Sequence, residues 1–358
     1  MNRRVDSLRS RFQSLRIDSF LVTNPPHLRY LSGFSGSSGA GLVTPRSLRF
    51  FTDGRYAAQV KKELSGGWKV HVSPSSDTLF RMIRDASVLK PGARVGIDGN
   101  TLSYEEFRTL KKMLHGVKFL PKAGVIEEIA SIKDESEIRS IKKAVEITDR
   151  TFTEILPLIK PGVRELDIAA EISYRQRRGG AERDAFDTIV ASGSRSALPH
   201  GQASSRKIGR GELVTLDFGC VVDGYHCDMT RTVAVGRIGR REKEIYALVL
   251  DAQQTAVAAV RAGMRTRELD AAARDVIRRG GYDKYFRHSL GHGIGLQIHE
   301  APRISVQSGS VLKAGQVITV EPGVYFPPLG GVRIEDVVVV TPRGAAVLNR
   351  SPKELITL

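Results

Sequence analysis

A pattern that occurs twice in the second half of the chain is the strongest constraint on its fold. Two short sequences recur in the same order: Arg-Glu-Leu-Asp at 164–167 and 267–270, and Arg-Arg-Gly-Gly at 177–180 and 278–281. Each copy of Arg-Glu-Leu-Asp follows a glycine in a turn, Gly162 or Gly263, and opens an amphipathic stretch. A glycine pair after a basic last turn is a typical helix end. Because the two matches have nearly equal spacing, they predict two similar halves, each with a helix, and a site between the halves.

The composition indicates a globular protein of two domains. The 358 residues are too many for one ordinary domain, and 41% hydrophobic with 26% charged residues exclude a disordered chain. No apolar run reaches the roughly 18 residues of a membrane span, so no membrane partner is expected. The two cysteines exclude a disulfide framework and a Cys-rich zinc site, which favours a cytoplasmic protein.

The formal net charge of +16 raises the question of nucleic-acid binding. The basic pairs are dispersed over separate amphipathic stretches, at 3–4, 61–62, 111–112, 177–178 and 278–279. The sequence has no dense basic tract and no aromatic-rich RNA-binding signature. We therefore expect a generally basic surface and no nucleic-acid partner. A metal-free module that binds RNA or peptides is kept as the remote alternative.

The first third of the chain alternates short extended and helical segments. The pattern predicts strands at 19–23, 40–43, 48–52, 69–72 and 95–97, and helices at 4–16, 56–64, 79–89 and 104–114. This order is typical of a sheet with helices packed on it. The pattern changes between 121 and 132, and a long helix is predicted over 135–156. We predict domains at 1–125 and 126–358, and an α/β (α+β) fold class.

Two aspartates flank a predicted hairpin. Asp217 and Asp228 lie on either side of Asp223-Gly224, and Asp-Gly is a strong hairpin signal. A hairpin centred near Val222-Asp223 makes the two aspartates cross-strand neighbours, with Cβ atoms about 5 Å apart. That spacing suits two carboxylates that hold a pair of metal ions about 3.5–4 Å apart.

Two glutamates repeat this arrangement near the carboxyl end. Glu321 and Glu335 stand in β-rich stretches on either side of a turn-rich segment at 326–331. An acidic residue in an apolar strand is unfavourable unless it is paired, hydrogen-bonded or bound to metal. For any one carboxylate, a rim position or a salt bridge is an equal alternative. Four carboxylates on two hairpins favour a metal site.

Four of the eight histidines lie in turns flanked by glycine or proline: His200, His288, His292 and His299. His292 stands in Gly291-His-Gly-Ile-Gly295, where small neighbours let the backbone approach a ligand closely. This glycine loop lacks the spacing and the preceding βα unit of a dinucleotide site. The other four histidines are expected to be ordinary surface residues: His27, His71, His115 and His226.

The candidate ligands, taken in order, resemble those of the methionine aminopeptidase, prolidase and aminopeptidase P superfamily, which has the pita-bread fold: Asp217, Asp228, His292, Glu321 and Glu335. The resemblance covers essentially the whole second domain, and the duplicated halves agree with the pseudo-twofold symmetry of that fold. The segments 30–39 and 51–56 resemble the creatinase/prolidase amino-terminal domain, in the version seen in aminopeptidase P-type enzymes. The segment 288–292, together with His299, is similar to the proline-specific branch.

The resemblance implies a metallo-exopeptidase that cleaves peptides before a proline at the second position, with two divalent metal ions. Mn²⁺ suits the oxygen-rich ligand set, with Co²⁺ or Zn²⁺ as alternatives. The resemblance also implies that Asp228 and Glu335 bridge both ions. Asp217 then completes one ion's site, and His292 with Glu321 completes the other.

The same resemblance implies roles for the remaining candidates. Glu321 accepts a proton from the metal-activated water and passes it on. His299 donates to the developing oxyanion, His200 helps the prolyl nitrogen to leave, and His288 shapes the proline side of the pocket. Arg333 orients Glu335 or a nearby carboxylate, and a purely structural salt bridge is an equal alternative.

The length of the substrate is the remaining question. The first domain favours an Xaa-Pro aminopeptidase, which cleaves tripeptides and longer peptides at least as well as the dipeptide Xaa-Pro. The alternative is an Xaa-Pro dipeptidase (prolidase). A dipeptidase needs a group that binds the proline carboxylate, most economically an arginine, and the sequence does not place one. We further expect a cytoplasmic homodimer.

Overall fold

The structure is a computed structural model that describes residues 3–73, 79–327 and 329–358. The chain divides into two compact units, Met1–Ala130 and Ser131–Leu358. Within the described ranges, no helix is long and apolar enough to cross a bilayer. The predicted mixed α/β class is confirmed, since both units combine helices with sheets.

The first unit is built on a six-stranded sheet. Its strands are β1 Ser19–Val22, β2 Ala40–Val43, β3 Leu48–Asp53, β4 Lys69–Ser73, β5 Arg94–Ile97 and β6 Lys118–Pro121. Its helices are α1 Arg3–Arg9, α2 Phe12–Leu15, α3 Pro25–Ser32, α4 Ala57–Glu63, α5 Leu79–Asp85, α6 Tyr104–Met113 and α7 Val125–Ala130. The strand order is β4-β3-β2-β1-β5-β6, in which β2 is antiparallel to both of its neighbours. The other three pairs are parallel.

Two segments of the first unit differ from the sequence prediction. The prolines at 25 and 26 begin α3, a helix that the sequence analysis did not predict. They occupy its first two positions, where a missing N–H loses no helical hydrogen bond, and the Asn24 side chain caps the helix by accepting from the His27 N–H. The helix predicted at 4–16 is two short helices, because the first ends at Arg9 and the second starts only at Phe12.

The second unit contains four long helices and several small sheets in its described residues. The helices are α8 Glu135–Ile155, α9 Glu165–Arg178, α10 Arg240–Ala259 and α11 Thr266–Arg279. The strands are β7 Arg183–Asp184, β8 Ile189–Ser192, β9 Glu212–Phe218, β10 Cys220–Val222, β11 Tyr225–His226, β12 Met229–Val235, β13 Gly291–Gly293, β14 Glu300–Ile304, β15 Val317–Val320, β16 Gly323–Phe326, β17 Gly330–Arg333, β18 Asp336–Val340 and β19 Ala345–Val347. Their orders are β11-β10-β7, β12-β9-β8, β14-β13-β15-β18-β19 and β16-β17.

The second unit has the predicted two similar halves, but the matching positions differ from those of the sequence pattern. The Gly162 N–H donates to the Ile208 carbonyl, and the Gly263 N–H donates to the Leu312 carbonyl in the same way. These glycines are 101 positions apart, as are the two Arg-Arg-Gly-Gly helix ends. The Arg-Glu-Leu-Asp copies are 103 positions apart, so they are not structurally equivalent.

Each half packs its helices on its own antiparallel ladder. In the first half, apolar side chains of α8 and α9, such as Phe152 and Ile172, are buried against Leu216 of β9. In the second half, α10 and α11 bury an apolar face against β15 and β18. Each large apolar side chain buried in this way contributes about 1.5–3 kcal/mol to folding. The helices therefore support each ladder on one face. The candidate acidic residues are on the opposite face.

Candidate active site

The aspartate hairpin is present, but its turn lies one residue further along than predicted. Asp223 and Gly224 have φ of 52° and 82°, as the two central residues of a tight hairpin turn require. The ladder of β9 and β12 accordingly pairs Asp217 with Thr230. Asp228, the predicted direct partner of Asp217, thus lies two positions before the residue that pairs with it, and the two aspartates are diagonal neighbours on one face of the ladder.

Gly219 makes this diagonal arrangement sterically possible. It precedes β10 and lies against the other strand of the hairpin, beside Asp228. A Cβ at position 219 would stand 1.9 Å from the Cys227 carbonyl oxygen and 3.2 Å from the Asp228 Cα. Only glycine allows the two strands to approach so closely at this point.

The two glutamates lie between two ladders that keep one register. Val320 pairs with Asp336 in the β15–β18 ladder, and Gly323 pairs with Arg333 in the β16–β17 ladder. The same register across the intervening residues puts Glu321 opposite Glu335. Their backbone N–H groups donate to other strands and loops: that of Glu321 to the Leu290 carbonyl, and that of Glu335 to the Thr230 carbonyl.

His292 faces these carboxylates with one ring nitrogen. Its Nε2 lies 3.6 Å from Asp228 Oδ2 and 3.5 Å from Glu321 Oε1. Its Nδ1 lies 3.0 Å from the Gly293 carbonyl oxygen, so Nδ1 carries the proton and the Nε2 lone pair points at the acidic groups. Burial lowers the pKa of His292 to about 4, which keeps the ring neutral.

The buried acidic groups fit divalent cations. Asp228, His292 and Glu335 each offer a ligand atom within 4.8 Å of the others. Burial, followed by repulsion from neighbouring carboxylates, raises the pKa of Asp228, Glu321 and Glu335. Among described residues, no hydrogen-bond partner reaches Asp217 Oδ1, Asp228 Oδ1 or Glu335 Oε1. Bound cations would satisfy these oxygens and remove the repulsion, and carboxylates with one neutral imidazole are suitable donors.

Arg333 contacts one carboxylate directly and reaches another through a hydroxyl group. Its Nη2 lies 2.5 Å from Asp217 Oδ2, and its Nε donates to Thr230 Oγ1 at 2.9 Å. Thr230 in turn donates to Glu335 Oε2 at 2.7 Å. The direct partner is therefore Asp217, and Glu335 is oriented only through Thr230.

Tyr325 is a site residue that the sequence analysis missed. Its hydroxyl accepts from Arg333 Nη1 at 2.7 Å and lies 2.9 Å from His288 Nε2. Because His288 Nδ1 lies 2.8 Å from the Ser289 carbonyl oxygen, Nδ1 is the donor and Nε2 accepts from the tyrosine. Tyr325 is four residues beyond Glu321 in a β-rich stretch, so strand alternation would have put both on one face.

His288 is a neutral ring with both nitrogens occupied. Burial, and then the charge of Arg333, lowers its pKa to about 3. The hydrogen bonds to Ser289 and Tyr325 leave neither nitrogen free for a ligand. His288 can therefore contact a bound molecule only through its carbon atoms.

All the predicted site residues line one cavity of about 720 Å³. His299 is next to His292, with ring centroids 4.4 Å apart, and burial followed by the charge of His200 lowers the pKa of His299. The cavity is also lined by residues that sequence analysis did not propose: Phe186, Asp187, Ile189, Pro199, Gln202, Ser289, Ile298, Glu300 and Arg303. Most of these come from loops, which carry no periodic signal.

Arg303 has a defined place in this cavity. It is directly opposite His292 in the β13–β14 ladder, so both side chains leave the same face of the sheet. Within the described residues, its guanidinium has neither a hydrogen bond nor an ion pair. The cavity lining thus includes a solvent-exposed, unpaired cationic group on the sheet face that carries His292.

Two of the four histidines expected at the surface are buried. His27 is 2% exposed, with Nδ1 3.1 Å from Asp98 Oδ2. His226 is 5% exposed, and both its backbone N–H and its ring contact the Gly295 carbonyl. The surface prediction is wrong for these two, because each pairs with a group that is distant in sequence.

Comparisons with known proteins agree with this geometry. Residues 139–342 match the model of metallopeptidase family M24, and residues 4–132 match the creatinase/prolidase N-terminal domain. The chain is 41% identical to an Xaa-Pro dipeptidase of Pyrococcus furiosus over 357 residues, covering 99% of this chain and 100% of that protein.

Two solved structures resemble the whole chain. An Xaa-Pro dipeptidase from Bacillus anthracis has a TM-score of 0.94 and 42% identity, covering 99% of each chain. An X-Pro aminopeptidase from Thermotoga maritima has a TM-score of 0.90 and 37% identity, also covering 99% of each chain. The second unit has the pita-bread fold, and the protein is a metallopeptidase that belongs to family M24 and carries a creatinase/prolidase-type N-terminal domain.

Proposed function

We propose that the protein is an Xaa-Pro dipeptidase, which hydrolyses the bond between an amino-terminal residue and a carboxyl-terminal proline. The sequence analysis favoured an Xaa-Pro aminopeptidase and kept the dipeptidase as the alternative. The relatives named above support the alternative, since two are Xaa-Pro dipeptidases and one is an X-Pro aminopeptidase. The choice between dipeptidase and aminopeptidase then depends on whether a group of the cavity can bind the carboxylate at the end of a dipeptide.

Arg303 is the observation that carries the proposal. A dipeptide places its carboxylate one residue beyond the scissile bond, whereas a longer peptide places a neutral amide there. The unpaired guanidinium of Arg303, on the same sheet face as His292, can bind that carboxylate with two parallel hydrogen bonds. Such a contact favours the dipeptide and is lost when the chain continues.

The proposed metal ligands are four carboxylates and one imidazole among the cavity residues: Asp217, Asp228, His292, Glu321 and Glu335. When bound there, a pair of divalent cations supplies a nucleophile from water at neutral pH and polarises the scissile carbonyl. Asp228 and Glu335 would hold the cations together with the other three ligands, and Mn²⁺ is the expected metal for this oxygen-rich set. Co²⁺ and Zn²⁺ remain alternatives for the same ligands.

The other residues handle protons and orientation. Glu321 is assigned to accept a proton from the attacking water and then return it. His299 is assigned to donate to the carbonyl oxygen as it gains charge. The prolyl nitrogen has no hydrogen and must gain one to leave, and His200 is assigned to assist it. His288 packs its carbon atoms against the proline ring.

Peptide length tests the proposal directly. We expect kcat/KM for Ala-Pro to exceed that for Ala-Pro-Ala by at least about tenfold at equal Mn²⁺ concentration and pH. Arg303→Met should lower kcat/KM for Ala-Pro by about a hundredfold, mainly through KM, because a charged hydrogen-bonding pair is lost. Arg343→Met, at an exposed arginine away from the cavity, is the matched control. Equal or better cleavage of the tripeptide by the unaltered protein would make it an aminopeptidase.

A further inference from the structure

The loop that carries His288 is attached to α11 by two charged side chains. Arg274 donates from Nη1 to the Phe286 carbonyl at 2.9 Å and from Nη2 to the His288 carbonyl at 3.0 Å. Asp270, one turn earlier on the helix, accepts from the Leu290 N–H at 3.1 Å. Three alternate residues of the loop are thus fixed by a single pair of side chains.

The pair itself is rigid. Arg274 Nε lies 2.8 Å from Asp270 Oδ2, and Nη2 lies 3.1 Å from Oδ1, so the planar guanidinium and the carboxylate meet along two contacts. The Asp270 side chain is fully buried and that of Arg274 is 15% exposed. The guanidinium also covers the Phe286 ring, with its central carbon 4.1 Å from the ring centroid, and Phe286 packs edge-on against His288. Little freedom remains for the loop.

The duplicated fold does not require this attachment. The positions equivalent to Asp270 and Arg274 in the first half, 101 residues earlier, are Ala169 and Ser173. Neither carries a charge, yet α9 packs on its ladder as α11 does. In the first half, Ser173 makes a single side-chain hydrogen bond to Asp184 in the segment after α9, at 2.6 Å. Among the described residues, the charged pair that holds the backbone of a cavity residue belongs to the second half, which indicates a role at the site rather than in the fold.

We infer that Arg274 and Asp270 are positioning residues that set the selectivity for proline by holding the His288 ring against the cavity. This inference rests on the proposed function, in which His288 contacts the proline ring. Both ring nitrogens of His288 are already bound within the protein, so the ring follows its backbone and its tyrosine partner. A loop released from α11 would let the ring move away, and the contact with the proline carbons would weaken.

Two substrates isolate that contact. Ala-Pro and Ala-sarcosine both have a tertiary amide and a terminal carboxylate, but sarcosine lacks the ring carbons that His288 would touch. We expect Arg274→Met to lower the Pro/sarcosine ratio of kcat/KM by about tenfold, through a higher KM for Ala-Pro, since small displacements of a contact surface have effects of this size. Arg274→Lys should recover part of the ratio, because an ammonium group can still reach one carbonyl. Asp270→Asn should lower the ratio as well.

The controls separate positioning from loss of structure. Arg278→Met removes an arginine one turn further along α11 whose partners are Asp275 and, at 3.8 Å, Asp283, and whose side chain is 59% exposed, and it should leave the ratio unchanged. Bound Mn²⁺ per chain should equal that of the unaltered protein in all four variants. A ratio within twofold of normal in Arg274→Met overturns the inference, as does an equal loss of kcat on both substrates with reduced metal content.

The same measurements distinguish the two proposals. If the unaltered protein fails to cleave Ala-Pro, the proposed function is wrong. If it prefers Ala-Pro-Ala, the Pro/sarcosine ratio of kcat/KM is measured with Ala-Pro-Ala and Ala-sarcosyl-Ala. A ratio within twofold of normal in Arg274→Met then overturns the inference, and a lower ratio supports it. If Arg274→Met does not fold, Arg274→Lys and Asp270→Asn decide, and unchanged ratios in both overturn the inference.

Discussion

Replacement of Thr230 by valine tests whether the hydrogen bonds of its hydroxyl orient Glu335 for metal binding. Valine keeps the shape of threonine and removes only the hydroxyl, which accepts from Arg333 and donates to Glu335 at 2.9 and 2.7 Å. A hydrogen bond to a charged group is worth about 1.5–3 kcal/mol, and partners of this kind change metal affinity by roughly 10- to 100-fold. We therefore expect Thr230→Val to raise the Mn²⁺ dissociation constant about 10- to 100-fold.

The assay is a titration of metal-depleted protein with Mn²⁺ by calorimetry. The matched control is Thr215→Val, because Thr215 is buried in the same pair of strands and, among the residues that the structure describes, its hydroxyl contacts only Thr232 and the Gly331 carbonyl. Activity of Thr230→Val at saturating Mn²⁺ should stay within about fivefold of normal, because the ligands themselves remain. Equal Mn²⁺ affinities for the two valine variants would refute the orienting role given to Thr230.

Three further predictions concern the metal centre. Asp228→Ala and Glu335→Ala should each abolish peptidase activity and lower bound metal while leaving the circular dichroism spectrum of the metal-free protein intact; normal turnover at full metal occupancy would contradict the ligand assignment. Burial, and then the charge of Asp217, raises the pKa of Glu335 to about 8, so metal must displace a proton below that pH, and Mn²⁺ affinity measured by titration should increase between pH 6 and 8. Gly219→Ala should lower the melting temperature and the metal content, because a Cβ there meets the Cys227 carbonyl at 1.9 Å, whereas Gly309→Ala, with no neighbouring atom within 4 Å, should change neither.

The residues that the sequence analysis proposed for the site carry local signals. Asp-Gly marks a hairpin, and acidic residues in apolar strands mark either buried pairs or a metal site. All nine residues proposed from the sequence line the one cavity, although their roles stay predictions. Homodimer formation and cytoplasmic location also stay predictions.

The missed features depend on contacts between distant parts of the chain. The hairpin turn was placed one residue early because both Val222-Asp223 and Asp223-Gly224 are compatible with the pattern, and only the positive φ of both Asp223 and Gly224 decides between them. Arg303 is one of 55 basic residues, and nothing near it in sequence shows that it pairs with His292 across a ladder. The alignment of the two halves on the repeated Arg-Glu-Leu-Asp was also wrong, by two residues. The glycine turns before the two helices, which are 101 positions apart, give the correct alignment.

The shared register of the β15–β18 and β16–β17 ladders makes the positions of the two glutamates independent of the length of the hairpin tip. Glu321 and Glu335 are aligned from one side by β15–β18, which does not include the hairpin tip. Their backbone groups are anchored to Leu290 and Thr230, also outside the tip. Residues inserted or deleted between Phe326 and Gly330 would therefore change the length of the hairpin without displacing either glutamate. The tip is a place where the length of the chain can diverge between relatives while the same acidic centre is inherited unchanged.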